Sequence, residues 1–203
     1  MNKEKNPFKR NPAKTLLLLI SFFLIITDLI MGLLLIPKDN DHYNTFRTSH
    51  TYYHHGLKPN QKALAKGIDG EFSLYTNSLG FRDSSIREVP LKSRKKRILF
   101  IGDSFTEGIG VTYQKSYIGI LNEAIDTAKT ELLNAGVVSY SPKLYYLKIK
   151  YLIDKKRLHF DELFVFIDIS DPMDEIIYKN YEIGKKPKVF YKPTDFVKTK
   201  NLL

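Results

Sequence analysis

Residues 97–111 read RILFIGDSFTEGIGV, and this stretch decides the fold. Residues 97–101 form a short apolar run that is too brief for a helix and ends at Gly102, so they predict a buried strand. Asp103 and Ser104 follow directly, inside a turn bounded by glycines. The pattern therefore predicts a serine hydroxyl presented where a strand ends.

Strand and helix patterns alternate along the chain around this turn. A strand is predicted at residues 71–76, a helix at 114–128, a strand at 131–138, a helix at 142–155 and a strand at 162–169. From the strand at 97–101 onward, this strand–helix–strand–helix–strand alternation is typical of a parallel sheet wound by right-handed crossovers, whose ligands bind beyond the carboxyl ends of the strands. Site residues are therefore expected at 102–110, 136–141 and 168–174.

A membrane-spanning helix is predicted at residues 15–36, TLLLLISFFLIITDLIMGLLLI. Its 22 residues would rise about 33 Å as a helix, enough to cross a hydrocarbon core of roughly 30 Å. Asp28 costs about 3 kcal/mol, which the apolar residues outweigh. A cleaved signal peptide is the alternative, but LLLIPKDND lacks a small-residue cleavage site, which favours an uncleaved anchor in the lipid bilayer.

Charge around this segment predicts its orientation. Residues 1–14 carry five Lys and Arg against one Glu and form a basic tail, which places the N-terminus in the cytoplasm. The rest of the chain is then outside, as in a single-pass protein of a bacterial envelope. Residues 37–70 show no sustained periodicity and are predicted to be a stalk or linker.

Composition excludes several classes of function. The 203 residues contain no Cys, so disulfides, thiolate zinc sites and iron–sulfur clusters are excluded. The net charge of +10 is scattered apart from the tail and residues 94–97, which argues against nucleic acid as a partner. His50, His54 and His55 could hold a metal, but an aromatic loop is favoured; neither a metal nor a cofactor is expected.

The stretch GDSFTEGIGV, placed after an apolar strand, resembles the first block of the GDSL-type, or SGNH, hydrolase family. NAGVVSYSP at residues 134–142 is similar to the second block, and NSLGFRD at 77–83 is similar to the preamble of membrane-anchored members. The resemblance covers roughly residues 70–175. It implies a three-layer α/β/α domain with a parallel, flavodoxin-like sheet over residues 71–203.

The resemblance also implies roles for individual residues. Ser104 would be the nucleophile, and the backbone N–H groups of Ser104 and Gly136 would form the oxyanion hole. The third block, G-x-N-D in the family, aligns with DISD at residues 168–171, so that Ser170 would be a weaker third donor. Asp103 and Asp171 would line the pocket rim. The alternative for Gly-Asp-Ser is a tight turn in which Ser104 caps a helix.

The family's Asp-x-x-His block does not appear after Asp171, and the last histidine, His159, precedes the third strand. This predicts a partial domain, incomplete at its C-terminus; a shortened gene product, a fragment and a divergent protein remain open. The family implies an esterase or acyltransferase acting on acyl, most often acetyl, groups of envelope carbohydrate or lipid, inactive without its base. The alternative is a non-catalytic, membrane-tethered polysaccharide-binding or assembly protein.

Overall fold

The computed structural model of the chain describes residues 11–35, 46–67, 70–185 and 187. It divides into two compact units, residues 1–41 and 42–203. The predicted basic tail lies outside the described residues, apart from its last four. The further strand that KVFYKP at residues 188–193 suggests also lies outside them.

The first unit contains helix α1, Pro12–Leu35, which begins three residues before the predicted span. Over Pro12–Gly32 its mean hydropathy is 2.3, and this 21-residue segment is long and apolar enough to cross a membrane. Its apolar side chains are exposed, as Leu17 and Phe23 show with 67% and 69%. A helix that is apolar on all sides and remains exposed suits a lipid environment better than water. The structure thus confirms a helix near the N-terminus that is long and apolar enough to span a membrane.

Within the part of the chain that the structure describes, the second unit contains two sheets and four α-helices. A two-stranded hairpin is formed by β1 (Arg47–His50) and β2 (His54–Leu57), and the larger sheet by β3 (Lys62–Gly67), β4 (Gly70–Thr76), β5 (Arg82–Asp83), β6 (Lys96–Ile101), β7 (Thr130–Asn134) and β8 (Glu162–Val165). The helices are α2 (Ser104–Glu107), α3 (Tyr117–Ala124), α4 (Pro142–Asp154) and α5 (Asp171–Tyr178).

The larger sheet is mixed, with strand order β3-β4-β5-β7-β6-β8. Strands β7, β6 and β8 pair in parallel, whereas β3, β4 and β5 extend the sheet in antiparallel fashion from β7. The predicted α/β class is therefore confirmed. The predicted parallel arrangement holds for three strands: β6, which ends just before Gly102, and β7 and β8, which follow it. The antiparallel pairing of β3, β4 and β5 corrects the expectation that the sheet is parallel throughout.

The antiparallel half arises partly from residues 46–67, which lie within the predicted stalk. These residues form three strands, and Phe46 and Leu57 are buried in the main core. The alternation of apolar and polar residues in β3 is not visible in the sequence, because its inward residue Ala65 is small and its outward residue Leu64 is apolar and 47% exposed. The folded unit thus begins well before residue 71.

Strand β6 places successive side chains in different clusters of the core. Leu99 packs with Leu133 and with Leu152 of α4, whereas Phe100 packs with Leu132 and with Ile118 of α3. Successive side chains of a strand point to opposite faces of the sheet. A continuous apolar run such as 97–101 is therefore expected where helices cover both faces. It fixes the direction in which β6 ends, and hence the position of Ser104.

The predicted helices and strands differ from the structure mainly in length. Helix α4 matches the prediction to within one residue, whereas 114–128 contains a 3₁₀ turn at Tyr113–Lys115 and then α3. Ser116 separates the two because its hydroxyl caps α3, accepting from the Gly119 N–H at 3.1 Å. Strands β7 and β8 each end four residues earlier than predicted, which leaves the segments after them as loops.

Burial of His55 on β2 predicts a pH-dependent stability. Burial above all, together with the nearby His54, Arg47 and Lys148 and against the Val138 carbonyl, lowers the pKa of His55 from 6.5 to about 3. Between these values the unfolded chain binds the proton and the folded chain does not, so the free energy of unfolding falls as the pH falls. From pH 7 to pH 5 this one ring should cost about 2 kcal/mol.

Urea unfolding at both pH values checks this expectation by comparing the wild type with His55→Gln, which cannot titrate. The pH dependence of the variant should be smaller by that amount. If the free energy of unfolding depended on pH equally in the two proteins, the conclusion that the His55 ring is buried and neutral would be contradicted.

Candidate active site

Ser104 is the first residue of α2 and lies directly beyond the carboxyl end of β6. The N-cap of α2 is Asp103, whose Oδ1 accepts from the Phe105 N–H at 2.9 Å. Ser104 therefore does not cap the helix, which removes the alternative role for its hydroxyl. The half-buried Ser104 Oγ donates to Asp103 Oδ2 at 3.2 Å.

Close contacts explain the glycines on both sides of this turn. A Cβ at Gly102 would lie 2.0 Å from Thr106 Oγ1, and a Cβ at Gly136 would lie 2.7 Å from Thr106 Cβ and 2.8 Å from the Glu107 nitrogen. Thr106 thus fills the space that the two glycines leave. The segment containing Gly136, residues 135–141, lies directly against α2; we call it the oxyanion loop, after the donor that the sequence predicts there.

The oxyanion loop is held by hydrogen bonds to α2 and its surroundings. The Val137 N–H donates to the Gly102 carbonyl at 3.1 Å, and the Val138 N–H donates to Glu107 Oε2 at 2.7 Å. The Gly136 N–H donates to Asn134 Oδ1 at 3.0 Å. The N–H predicted as an oxyanion donor at Gly136 is therefore engaged by Asn134 in this structure.

Ser139 is the residue of this loop that the sequence did not identify. Its φ of 58° lies in the left-handed region, and no described residue accepts its N–H. That conformation is typical of glycine, so a serine gave no signal in the sequence. The Ser139 N–H is thus a donor without an acceptor among the described residues.

The left-handed conformation of Ser139 predicts a stabilising substitution. A side chain with a Cβ costs roughly 1–2 kcal/mol at such a φ, so Ser139→Gly should raise the free energy of unfolding by about 1 kcal/mol. Ser139→Val, which is β-branched, should lower it. Chemical denaturation of the two variants checks the signs, and a destabilised Ser139→Gly would show that the side chain, not the backbone, is what the loop requires.

A buried ion pair fixes the other end of α2. Both guanidinium NH groups of Arg47 donate to the Glu107 carboxylate, at 2.7 and 3.0 Å, and these side chains are 7% and 1% exposed. The buried Arg82 guanidinium donates to the carbonyls of Glu107, Gly108 and Val111. Sequence reasoning missed all three side chains, since Arg47 lies in the predicted stalk and is 60 residues from Glu107.

The loop after β8 brings the third block close to Ser104, but with different contacts from those expected. The Ser170 hydroxyl donates to Asp168 Oδ1 at 2.7 Å, and the Ser170 N–H donates to the same oxygen at 2.6 Å. The hydroxyl predicted as a third oxyanion donor is thus engaged by Asp168. Asp171 is 1% exposed and accepts from the Tyr145 hydroxyl at 2.8 Å, so it is buried and does not line an open rim.

Carboxyl groups are concentrated beside Ser104. Asp103 is 4% exposed, and its pKa is raised by burial and by the neighbouring Asp168 carboxyl. Burial and the carboxylates of Asp103, Asp171 and Asp168 raise the pKa of Asp174 to about 6. Although burial raises it, the pKa of Asp168 is lowered by hydrogen bonds from Ser170 and Asp103. Among the described residues no Lys or Arg pairs with these four groups.

The described histidines lie elsewhere and bind other partners. The His50 ring stacks on Tyr53 with centroids 3.7 Å apart, and His54 Nδ1 lies 2.8 Å from His55 Nδ1. No group of three or more His, Cys, Asp or Glu side chains within the described ranges is arranged to hold a metal ion. The predicted loop at residues 50–55 is instead the end of a regular hairpin, and none of the four described histidines hydrogen-bonds to Ser104.

Comparisons of the chain with protein-family models, with curated proteins and with solved structures found no match. Function must therefore be argued from this geometry. The structure brings Ser104, Asp103, the oxyanion loop and the Asp168 loop to one edge of the sheet. It leaves the Gly136 N–H and the Ser170 hydroxyl engaged with other acceptors.

Proposed function

We propose that the chain is a membrane-anchored serine esterase or acyltransferase of the SGNH type, acting on acyl esters, acetyl above all, of envelope carbohydrate or lipid. Helix α1 is the anchor, with the N-terminus in the cytoplasm and the second unit outside. Helices α3 and α4 on β6 would supply the outer layers of a three-layer α/β/α domain. A protease-protection assay that places the second unit in the cytoplasm would refute this topology.

One observation carries the proposal: the Ser104 hydroxyl has no capping role and stands at the carboxyl end of β6. Ester cleavage needs two elements, a nucleophile and donors aimed at the oxygen where charge develops. The Ser104 N–H, in the first turn of α2 where no intrahelical acceptor exists, supplies one donor.

The reaction would proceed through an acyl-enzyme. Ser104 Oγ attacks the ester carbonyl carbon and loses its proton to a base, while the carbonyl electron pair moves to the oxygen held by the Ser104 N–H. Collapse breaks the ester C–O bond, and the departing alkoxide takes up a proton. Water for hydrolysis, or a hydroxyl of a second substrate for transfer, then attacks the acyl carbon and loses its proton to the base. The bond from the acyl carbon to Ser104 Oγ breaks, and Ser104 Oγ takes up a proton.

The described histidines do not supply the base, since none contacts Ser104. The Ser104 hydroxyl donates instead to Asp103, whose pKa is raised by burial and by the neighbouring Asp168 carboxyl. Without a positioned base the residual rate should come from the donors and binding alone, which is about 10³–10⁴-fold over the uncatalysed reaction in serine hydrolases.

A fluorophosphonate probe followed by peptide mapping tests the proposal. The folded chain in detergent should acquire the adduct at Ser104, and the urea-unfolded chain should not. Absence of the adduct, or the same yield after unfolding, would contradict an activated nucleophile.

The second candidate is a non-catalytic polysaccharide-binding or assembly protein tethered by α1. It is favoured by the engagement of the Ser170 hydroxyl with Asp168 and by the absence of a described histidine at Ser104. Binding of envelope polysaccharide by a chain that does not label at Ser104 would support this candidate over the enzyme.

A further inference from the structure

We infer that an apolar rim beside Ser104 inserts into the surface of a lipid bilayer, so that the site takes its acyl ester from a lipid rather than from a soluble carbohydrate. The rim consists of six exposed apolar residues of α2, the loop after β8 and α5: Phe105, Ile167, Ile169, Met173, Ile176 and Ile177. The inference rests on the proposed function, both its anchor and its Ser104 site, and it narrows the substrate class.

Helix α5 has its polar residues inside and its apolar residues outside. Its buried face carries Asp171, Asp174 and Tyr178. Its three rim residues follow one another at spacings of three and one, so they share the opposite, exposed face. A helix on a protein surface in water normally buries its apolar stripe and exposes its charges. The reverse pattern indicates that a second apolar medium covers the outer face of α5.

Contacts on the buried face fix this orientation of α5. Asp171 accepts from the Tyr145 hydroxyl at 2.8 Å, and Tyr178 packs in the main core. The Lys143 N–H donates to the Glu175 carboxylate at 3.0 Å, which joins the start of α4 to α5. Turning α5 to bury its isoleucines would break these contacts. The exposure of the rim on this helix is therefore built into the fold.

The loop after β8 brings two further rim residues to the nucleophile. A Cβ at Gly102 would lie 3.1 Å from the Phe166 carbonyl oxygen, and a hydrogen bond joins the carboxyls of Asp103 and Asp168. The rim residues of this loop lie on either side of Asp168, and the second of them, Ile169, is 97% exposed. The sixth rim residue directly follows the nucleophile in α2. Apolar side chains thus flank the site on both of these segments.

A lipid surface is the medium that best fits the rim. Helix α1 is long and apolar enough to hold the chain in a bilayer, and residues 36–45, which join it to the second unit, cannot span more than about 40 Å. Residues 42–203 carry 26 Lys and Arg against 18 Asp and Glu, and this excess attracts the unit to anionic lipid. A protein on the rim would close off Ser104, whereas a bilayer presents esters there.

The depth of single side chains in a bilayer tests the inference, and the absence of Cys from the chain lets one nitroxide be attached at a chosen position. Ile169→Cys and Ile176→Cys place the label on the rim. Ile120→Cys is the matched control, because Ile120 lies on α3 outside the rim and, like Ile176, is 56% exposed. Each full-length variant is reconstituted into vesicles of phosphatidylcholine and phosphatidylglycerol.

The readout is the local depth of the label, since α1 holds every variant on the vesicle. Power-saturation EPR compares collisions with O₂, which concentrates in lipid, and with a water-soluble nickel chelate. The two rim labels should collide more with O₂, and the Ile120→Cys label more with nickel. Equal access of nickel to the rim and to the control would overturn the inference. Protection of the rim labels from both reagents would also overturn it, because protein would then cover the rim.

The rim should also decide which esters reach Ser104. A variant with Met173, Ile176 and Ile177 all changed to Ser is labelled with two fluorophosphonates, one with a long alkyl chain that partitions into the vesicles and one short and water-soluble. Loss of the apolar contact should slow the vesicle-borne probe at least about tenfold and leave the soluble probe unchanged. Ile120→Ser, the control, should slow neither.

Equal slowing of both probes in the triple variant, or of neither, would overturn the role of the rim in substrate choice. The EPR measurement does not depend on catalysis and so separates the two proposals. If the rim labels lay in lipid in a chain that never reacts at Ser104, insertion of the rim would stand and the proposed function would be what failed.

Discussion

Labelling of Ser104 by a fluorophosphonate is expected to become at least about tenfold faster when imidazole is added, and to vanish in Ser104→Ala. A positioned general base contributes about 10²–10⁴-fold, and a freely diffusing base should recover part of this. The effect is expected because none of the described histidines reaches Ser104, although the hydroxyl is half-buried and still accessible. Quantitative mass spectrometry of the Ser104 peptide gives the rate.

The rate should rise in proportion to the concentration of the neutral imidazole and fall at pH 5, where the added base is protonated. Ser104→Ala controls for labelling at other hydroxyls, and the urea-unfolded chain controls for direct reaction of imidazole with the probe. A rate independent of imidazole would mean that proton removal is not what limits the nucleophile. The Asp103 carboxyl would then be the acceptor to examine, through Asp103→Asn, which retains the N-cap of α2.

The sequence predicted those parts of the fold that depend on local pattern. The apolar run at 97–101 became β6, the segment starting at Pro142 became α4, and the long apolar stretch became α1. Each of these elements is recognised from the periodicity of its apolar residues or from the length of its apolar run, and both are properties of residues that are close in the sequence. Ser104 was found for the same reason, since a strand that stops at a glycine leaves the next residues at its edge.

The parts that were missed depend on contacts between distant segments. Arg47 meets Glu107 across 60 residues, and His55 meets Val138 across 83. A short strand with alanine inside and leucine outside, such as β3, has no clear alternation either. The engagement of the Gly136 N–H by Asn134 and the left-handed backbone of Ser139 are outcomes of packing, which no motif of three or four residues encodes.

The buried ion pair between Arg47 and Glu107 predicts the largest loss of stability. Arg47→Met leaves the Glu107 carboxylate, 1% exposed, without its cation, and breaking a buried pair in this way costs about 3–5 kcal/mol. That is a large part of the roughly 5–15 kcal/mol by which domains are stable, so the variant should unfold at a much lower urea concentration. Labelling of Ser104 should also slow, since Glu107 holds the Val138 N–H.

A double variant separates the charge from the hydrogen bond. Glu107→Gln removes the carboxylate but keeps a carbonyl oxygen for the Val138 N–H, so Arg47→Met combined with Glu107→Gln should be more stable than Arg47→Met alone. Lys150→Met is the matched control, because its pair with Asp154 is at the surface and its loss should not be measurable. If Arg47→Met and Lys150→Met proved equally stable, the pair would not be buried, and the hairpin would lose its hold on the oxyanion loop.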